Sequence, residues 1–266
     1  MRAEGPHAPA PSRRDWAAAI GALLVVSALA WAAMVGHLRM GGMAMAPAAP
    51  RPLSLEALGF LAAWTAMMAA MMFPSVYPMV AIFAAVSRHR RGQGAPAVPT
   101  GIFVAGYLLS WIGFGALVFG ADRIARGWPP AADLLAARGG LLVGIVLAAA
   151  GLYQWSPLKS VCLRHCRSPI GFVMHGWREG AGGALRMGLH HGAYCVGCCW
   201  ALMGLLFVGG AMNLLWVALL AGFVLLEKVV ARGPWLSRAA GIAFIAWGGY
   251  LLSTGLRSYS TLRSLG

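Results

Sequence analysis

What most restricts this chain is a succession of apolar stretches almost free of charge. Each is about 17 to 22 residues long, close to the roughly 20 helical residues needed to cross a hydrocarbon core. Of the 266 residues, 60% are hydrophobic and only 11% charged, a balance too apolar for a water-soluble domain of this size. Regular apolar/polar alternation between turn signals is missing, which argues against a β-barrel. The expected fold class is therefore all-α: a polytopic transmembrane helical bundle of about seven spans, or six if two neighbouring stretches merge.

The spans are expected at 16–36, 57–83, 101–120, 139–155, 191–208, 212–230 and 236–254. Residues 1–15, rich in Pro, Ala and Arg, read as a disordered tail. One transmembrane domain is expected over 16–256, with a C-terminal tail at 257–266. The first span is too long for a signal-peptide core and is read as uncleaved. With the N-terminus inside, 14 of the 21 Lys and Arg residues fall in cytoplasmic segments. That bias predicts a cytoplasmic N-terminus in a multi-pass membrane protein. The formal charge of +14 lies in short tracts between apolar segments, so nucleic acid is not expected as a partner.

All five cysteines lie between Cys162 and Cys199, which does not fit a disulfide framework spread over an ectodomain. Within a basic segment at 156–190, Cys162, His165 and Cys166 stand at i, i+3 and i+4 and share one face of a helix. Farther on, His191, Cys195 and Cys198 fall within an arc of about 60° on a helix, with Cys199 at its edge. Thiolate and imidazole suit Cu(I) or Zn(II), the softer ion preferring sulfur. An isolated buried cysteine is ordinary packing, but five cysteines with neighbouring histidines point to a metal site. His175 reads as a surface residue.

The second span carries Met67-Met68-Ala-Ala-Met71-Met72-Phe-Pro74-Ser75 and, farther on, Pro78-Met79. Helical spacing groups Met68 with Met72, Ser75 and Met79, a stripe of neutral thioethers that favours Cu(I). The bland alternative is adaptable core packing. Pro74 and Pro78 each remove an intrahelical hydrogen bond, and an interrupted helix often marks a transporter binding site. Met43 and Met45 repeat the chemistry in an outer loop. Glu227 and Lys228 read as an interfacial ion pair, Asn213 as a helix cap or an interhelical hydrogen-bonding group, and Asp122 and Asp133 as solvated outer-loop residues. No nucleophile elbow, phosphate loop or HExxH motif is present, and no catalytic residue is assigned.

Three pieces carry a resemblance: the Met-Met-x-x-Met-Met-Phe-Pro helix, Pro157-Leu-Lys-x-x-Cys162 with Cys166, and His191-Gly-x-Tyr-Cys195-x-Gly-Cys198-Cys199, followed by Met212-Asn213 and Glu227-Lys228. Together, over about residues 55–252, the chain is similar to a bacterial domain-of-unknown-function family of predicted metal-binding integral membrane proteins. The resemblance implies a metal, without a substrate or reaction.

The expected function is the binding of a soft metal, Cu(I) before Zn(II), in metal handling, delivery or transport. Beside the lipid bilayer, a soluble metal carrier or a metalloenzyme assembly partner is expected. Two rivals are a membrane thiol-disulfide oxidoreductase using Cys195 and Cys198, which would need an exposed reactive cysteine, and a non-catalytic assembly subunit for a metalloenzyme.

Overall fold

The computed structural model of the protein describes residues 13–41, 52–94, 98–127, 139–209, 213–230 and 233–264. Over these it is helical: α1 (Arg13–Gly41), α2 (Leu53–Gly92), α3 (Thr100–Gly127), α4 (Gly139–Tyr153), α5 (Pro157–Arg167), α6 (Pro169–Gly176), α7 (Gly180–Gly209), α8 (Leu214–Val229) and α9 (Gly233–Ser264). The N-terminal tail before residue 13, Met43 and Met45, and Asp133 lie outside the described residues.

Each expected span has a helix, but among the described residues fewer than seven helices are by themselves long and apolar enough to cross a membrane. Among the described residues three helices are long and apolar enough: Leu53–Gly92, Thr100–Ala125 and Gly180–Phe207. A fourth arises if Gly140–Tyr153 and Pro157–Arg167, bent by 63° at their junction, count as one broken span. The reason is length: α4 has 15 residues and α8 has 16, about 22 to 24 Å at 1.5 Å per residue against a ~30 Å core. The basic segment at 156–190 is ordered into α5, α6 and the beginning of α7, and Asp122 sits on the exposed last turns of α3.

Two compact units are formed by these helices, Met1–Gly115 with Cys162–Val196, and Ala116–Val161 with Gly197–Gly266. In the first, α2 is the interior helix, with 83% of its apolar window buried, and α1 packs along it. Pro74 and Pro78 lie inside α2, which continues through both as one 40-residue helix, so the expected interruption does not occur. Pro74 has no N–H for the carbonyl of Ala70, four residues earlier. The Ser27 hydroxyl of α1 donates to that carbonyl at 2.7 Å, the kind of substitute that lets proline persist in an apolar helix. The Trp64 indole likewise donates to the Trp111 carbonyl of α3 at 3.1 Å.

α3 and α7 approach backbone to backbone in this unit. A Cβ on Gly188 would collide with the Phe103 carbonyl oxygen, one on Gly106 with the Leu185 carbonyl oxygen, and one on Gly192 would come within 2.6 Å of Ser110 Oγ. Gly188 and Gly192 are four apart on one face, the small-residue spacing that admits such contact in membrane helices.

The second unit repeats the device at a seven-residue interval. Gly144 and Gly151 of α4 meet Gly248 and Gly241 of α9, where an added Cβ would lie 2.6 to 2.7 Å from the opposing backbone oxygen at Gly248 and Gly151. Gly255, another seven residues on, faces Leu141. α4 and α9 thus run antiparallel, with a heptad of glycines along the seam. Asn213 caps α8, its Oδ1 accepting from Trp216 N at 3.2 Å.

Glu227 of α8 is buried and not interfacial. Its carboxylate accepts from Lys159 Nζ of α5 at 2.9 and 3.0 Å and from Ser237 Oγ of α9 at 2.6 Å. The side chains of Lys159 and Glu227 are each 2% exposed.

Two outcomes test this packing by thermal unfolding in detergent. Gly188→Leu should destabilise by at least the ~1–3 kcal/mol of ordinary overpacking, because the obstacle is backbone. Lys159→Met should cost about 3–5 kcal/mol by stranding a buried carboxylate, and Lys159→Met combined with Glu227→Leu should recover most of that loss.

Candidate metal centre

The α2 methionines are more deeply buried than one stripe requires. Met68, Met71, Met72 and Met79 are each at most 1% exposed, and Met67 is buried too. Burial therefore does not single out the expected Met68, Met72 and Met79 from the rest, because α2 is enclosed on all sides.

On α7 burial is selective. His191, Cys195, Cys198 and Cys199 are all buried whereas His190 is exposed, as the expected helical face requires. Extending that face one turn back reaches Met187, which is also buried. Met187, His191 and Cys195 thus stand at i, i+4 and i+8, with successive Cβ atoms about 5–6 Å apart. Met187 was legible in principle, since it precedes His191 by four, but it carries no motif neighbour of its own type.

Aromatic side chains from α3 and α6 enclose this run. The Tyr107 hydroxyl lies 3.1 Å from Cys195 Sγ. The His191 ring lies near those of Phe103, Tyr107 and Phe172, with centroids 6.2, 5.9 and 5.3 Å away. Phe103 in turn stacks on Phe83 of α2 at 4.7 Å. The close approach at Gly106, Gly188 and Gly192 is what brings Phe103 and Tyr107 to this face of α7.

The remaining expected ligands are placed differently. Cys162, buried, and Cys166, half-buried, are one turn apart on α5. His165 between them stacks on Tyr194 of α7 at 4.1 Å with the rings 6° from parallel, and it lines an open cavity with His175, His190 and three arginines. Cys198 and Cys199 belong to the second unit. Among the described residues no three His, Cys, Asp or Glu side chains gather into a group that could hold a metal ion. Within the first unit, Cys162, Cys166, His191 and Cys195 accordingly do not gather into the expected thiolate centre among the described residues. Spacing places residues on a face of their own helix, but convergence of two faces is decided by packing, and α5 meets α7 through the His165–Tyr194 stack.

No curated protein and no solved structure matches this chain. One family does, the PpoB2 family, described as a copper chaperone, over residues 61–251. The matched segment takes in α3 to α8 whole, most of α2 and much of α9, and its description is that of a carrier and not of a catalyst. It replaces the looser metal-binding label suggested by the motifs. An all-helical chain with several membrane-length apolar helices, matched over most of its length, belongs to the PpoB2 copper-chaperone family.

Proposed function

We propose that this protein is a membrane-embedded Cu(I) carrier whose principal binding position is the His191–Cys195 pair of α7, with Met187 one turn farther along as a neighbouring donor for transfer, and with delivery to a partner protein. The observation that carries the reading is the selective burial of three soft or borderline donors at one-turn intervals, beside the Tyr107 hydroxyl, in a chain of a copper-chaperone family. Thioether, imidazole and thiolate are the donor types that Cu(I) accepts in low coordination number. On binding, Cys195 gives up its thiol proton and becomes the one anionic donor. Tyr107, at 3.1 Å, is placed to donate to the resulting thiolate, and outer partners of that sort tune metal affinity.

The buried thioethers Met68, Met72 and Met79 are neutral donors that hold an ion weakly, which suits transfer. Cys162 and Cys166, the latter half-buried, offer a more accessible pair, and Cys198 and Cys199 continue the α7 face. The recipient in this reading is a soluble copper carrier or a metalloenzyme under assembly, met on the cytoplasmic side to which the Lys and Arg bias assigns the Cys/His segment. Thiol-disulfide exchange fits less well, because a reactive cysteine must be reached by its substrate and both Cys195 and Cys198 are buried.

The test is Cu(I) content and affinity of the full chain in detergent, prepared anaerobically and competed with a chromophoric chelator. Cys195→Ser and His191→Ala should each abolish stoichiometric binding, and Met187→Leu should weaken it. Tyr107→Phe should weaken it by roughly tenfold while the thermal stability of the apo protein changes little. Undiminished copper in both Cys195→Ser and His191→Ala would overturn the assignment. A wild-type protein that retains zinc and refuses Cu(I) would overturn the choice of metal.

A further inference from the structure

The α5–α6 region of the first unit holds an open cavity of about 510 Å³ whose walls include Arg164, Arg178, Arg186, His165, His175 and His190. Among the described residues no carboxylate lines it. The chain has only seven Asp and Glu residues, and the one next in sequence to Arg178, Glu179, is drawn away. Glu179 accepts from Arg90 and, at 2.9 Å, from Trp177 Nε1. Among the described residues, Arg164, Arg178 and Arg186 have no ion-pair partner. Three exposed arginines on the lining of one cavity make it hostile to a metal cation and receptive to an anion.

The geometry points to a binding site for a phosphate-bearing anion in this cavity. Arginine forks match phosphate oxygens in bidentate fashion, and the Ser168 and Tyr194 side chains on the same wall add hydroxyl groups. The imidazoles are held in place: the rings of His165 and His190 lie 6° and 7° from parallel to Tyr194, with centroids 4.1 and 5.7 Å away. The surroundings fit a membrane surface. α6, which supplies Gly171, Phe172 and His175 to the wall, leaves Ile170 61% and Met174 39% exposed, so apolar side chains flank a basic hollow. That combination belongs at the level of lipid headgroups, where cationic side chains meet anionic phosphates. A phospholipid headgroup and a soluble phosphate share the required chemistry.

The full chain, purified in neutral detergent, is tested with two probes. Inorganic phosphate is titrated calorimetrically, and phosphatidylglycerol is compared with phosphatidylcholine in mixed micelles by native mass spectrometry. Arg164→Gln, Arg178→Gln and Arg186→Gln are made singly and together, with Arg238→Gln, an exposed arginine of α9, as a control for net charge. Each single change should weaken binding by about tenfold, and the triple change should abolish it, with Arg238→Gln near wild type. Loss confined to phosphatidylglycerol identifies a lipid headgroup, and loss with inorganic phosphate identifies a soluble ligand. Binding of both probes unchanged in the arginine variants, or reduced equally by Arg238→Gln, would refute the site. The three single variants carry the test if the triple variant does not fold. Cu(I) occupancy should be retained throughout, which separates failure here from failure of the copper assignment.

Discussion

The contact on which the candidate centre rests is the backbone-to-backbone approach of α3 and α7. Glycines at 106, 188 and 192 remove the side chains that would hold the helices apart. The reduced separation sets the Tyr107 hydroxyl against Cys195 and the rings of Phe103 and Tyr107 beside His191. A single methyl group at 188 would collide with the Phe103 carbonyl, and nothing in a backbone carbonyl can turn aside as a long side chain could. The donors of α7 therefore owe their enclosure to residues that contribute no chemistry.

A second constraint runs through both units: polar groups removed from water must find partners inside the protein. Ser27 supplies the hydrogen bond that Pro74 cannot, so α2 keeps its course with its methionines enclosed. Lys159, Glu227 and Ser237 are bonded to one another within the second unit. Such a set is expensive to break and adds little net stability over apolar packing. The arginines of the cavity wall are the contrast, charged and exposed, with no carboxylate beside them among the described lining residues.

Much of the local structure was legible in the residues. Charge-poor stretches became helices, Asn213 became a cap, and the face of His191, Cys195, Cys198 and Cys199 is buried as helical spacing required. Periodicity could not tell how many of the helices are long enough to span, because α4 and α8 stop short where Gln154 and Val230 leave helical geometry. Nor could it tell the five α2 methionines apart, since their burial depends on what packs around α2. Met187 was missed because motif reading weighs clusters of like residues, whereas its relevance lies in standing one turn from His191.

By itself the sequence determined that this chain is helical and belongs in lipid, and that its soft donors recur on particular helical faces. Hydrophobic length and the 3.6-residue period are local properties, readable without knowing any neighbour. Which faces meet was decided only by tertiary structure. Lys159 and Glu227 are 68 positions apart and Tyr107 and Cys195 are 88 apart, separations across which no local period carries information. The glycines that permit these encounters look like ordinary small residues until the opposing backbone is in place.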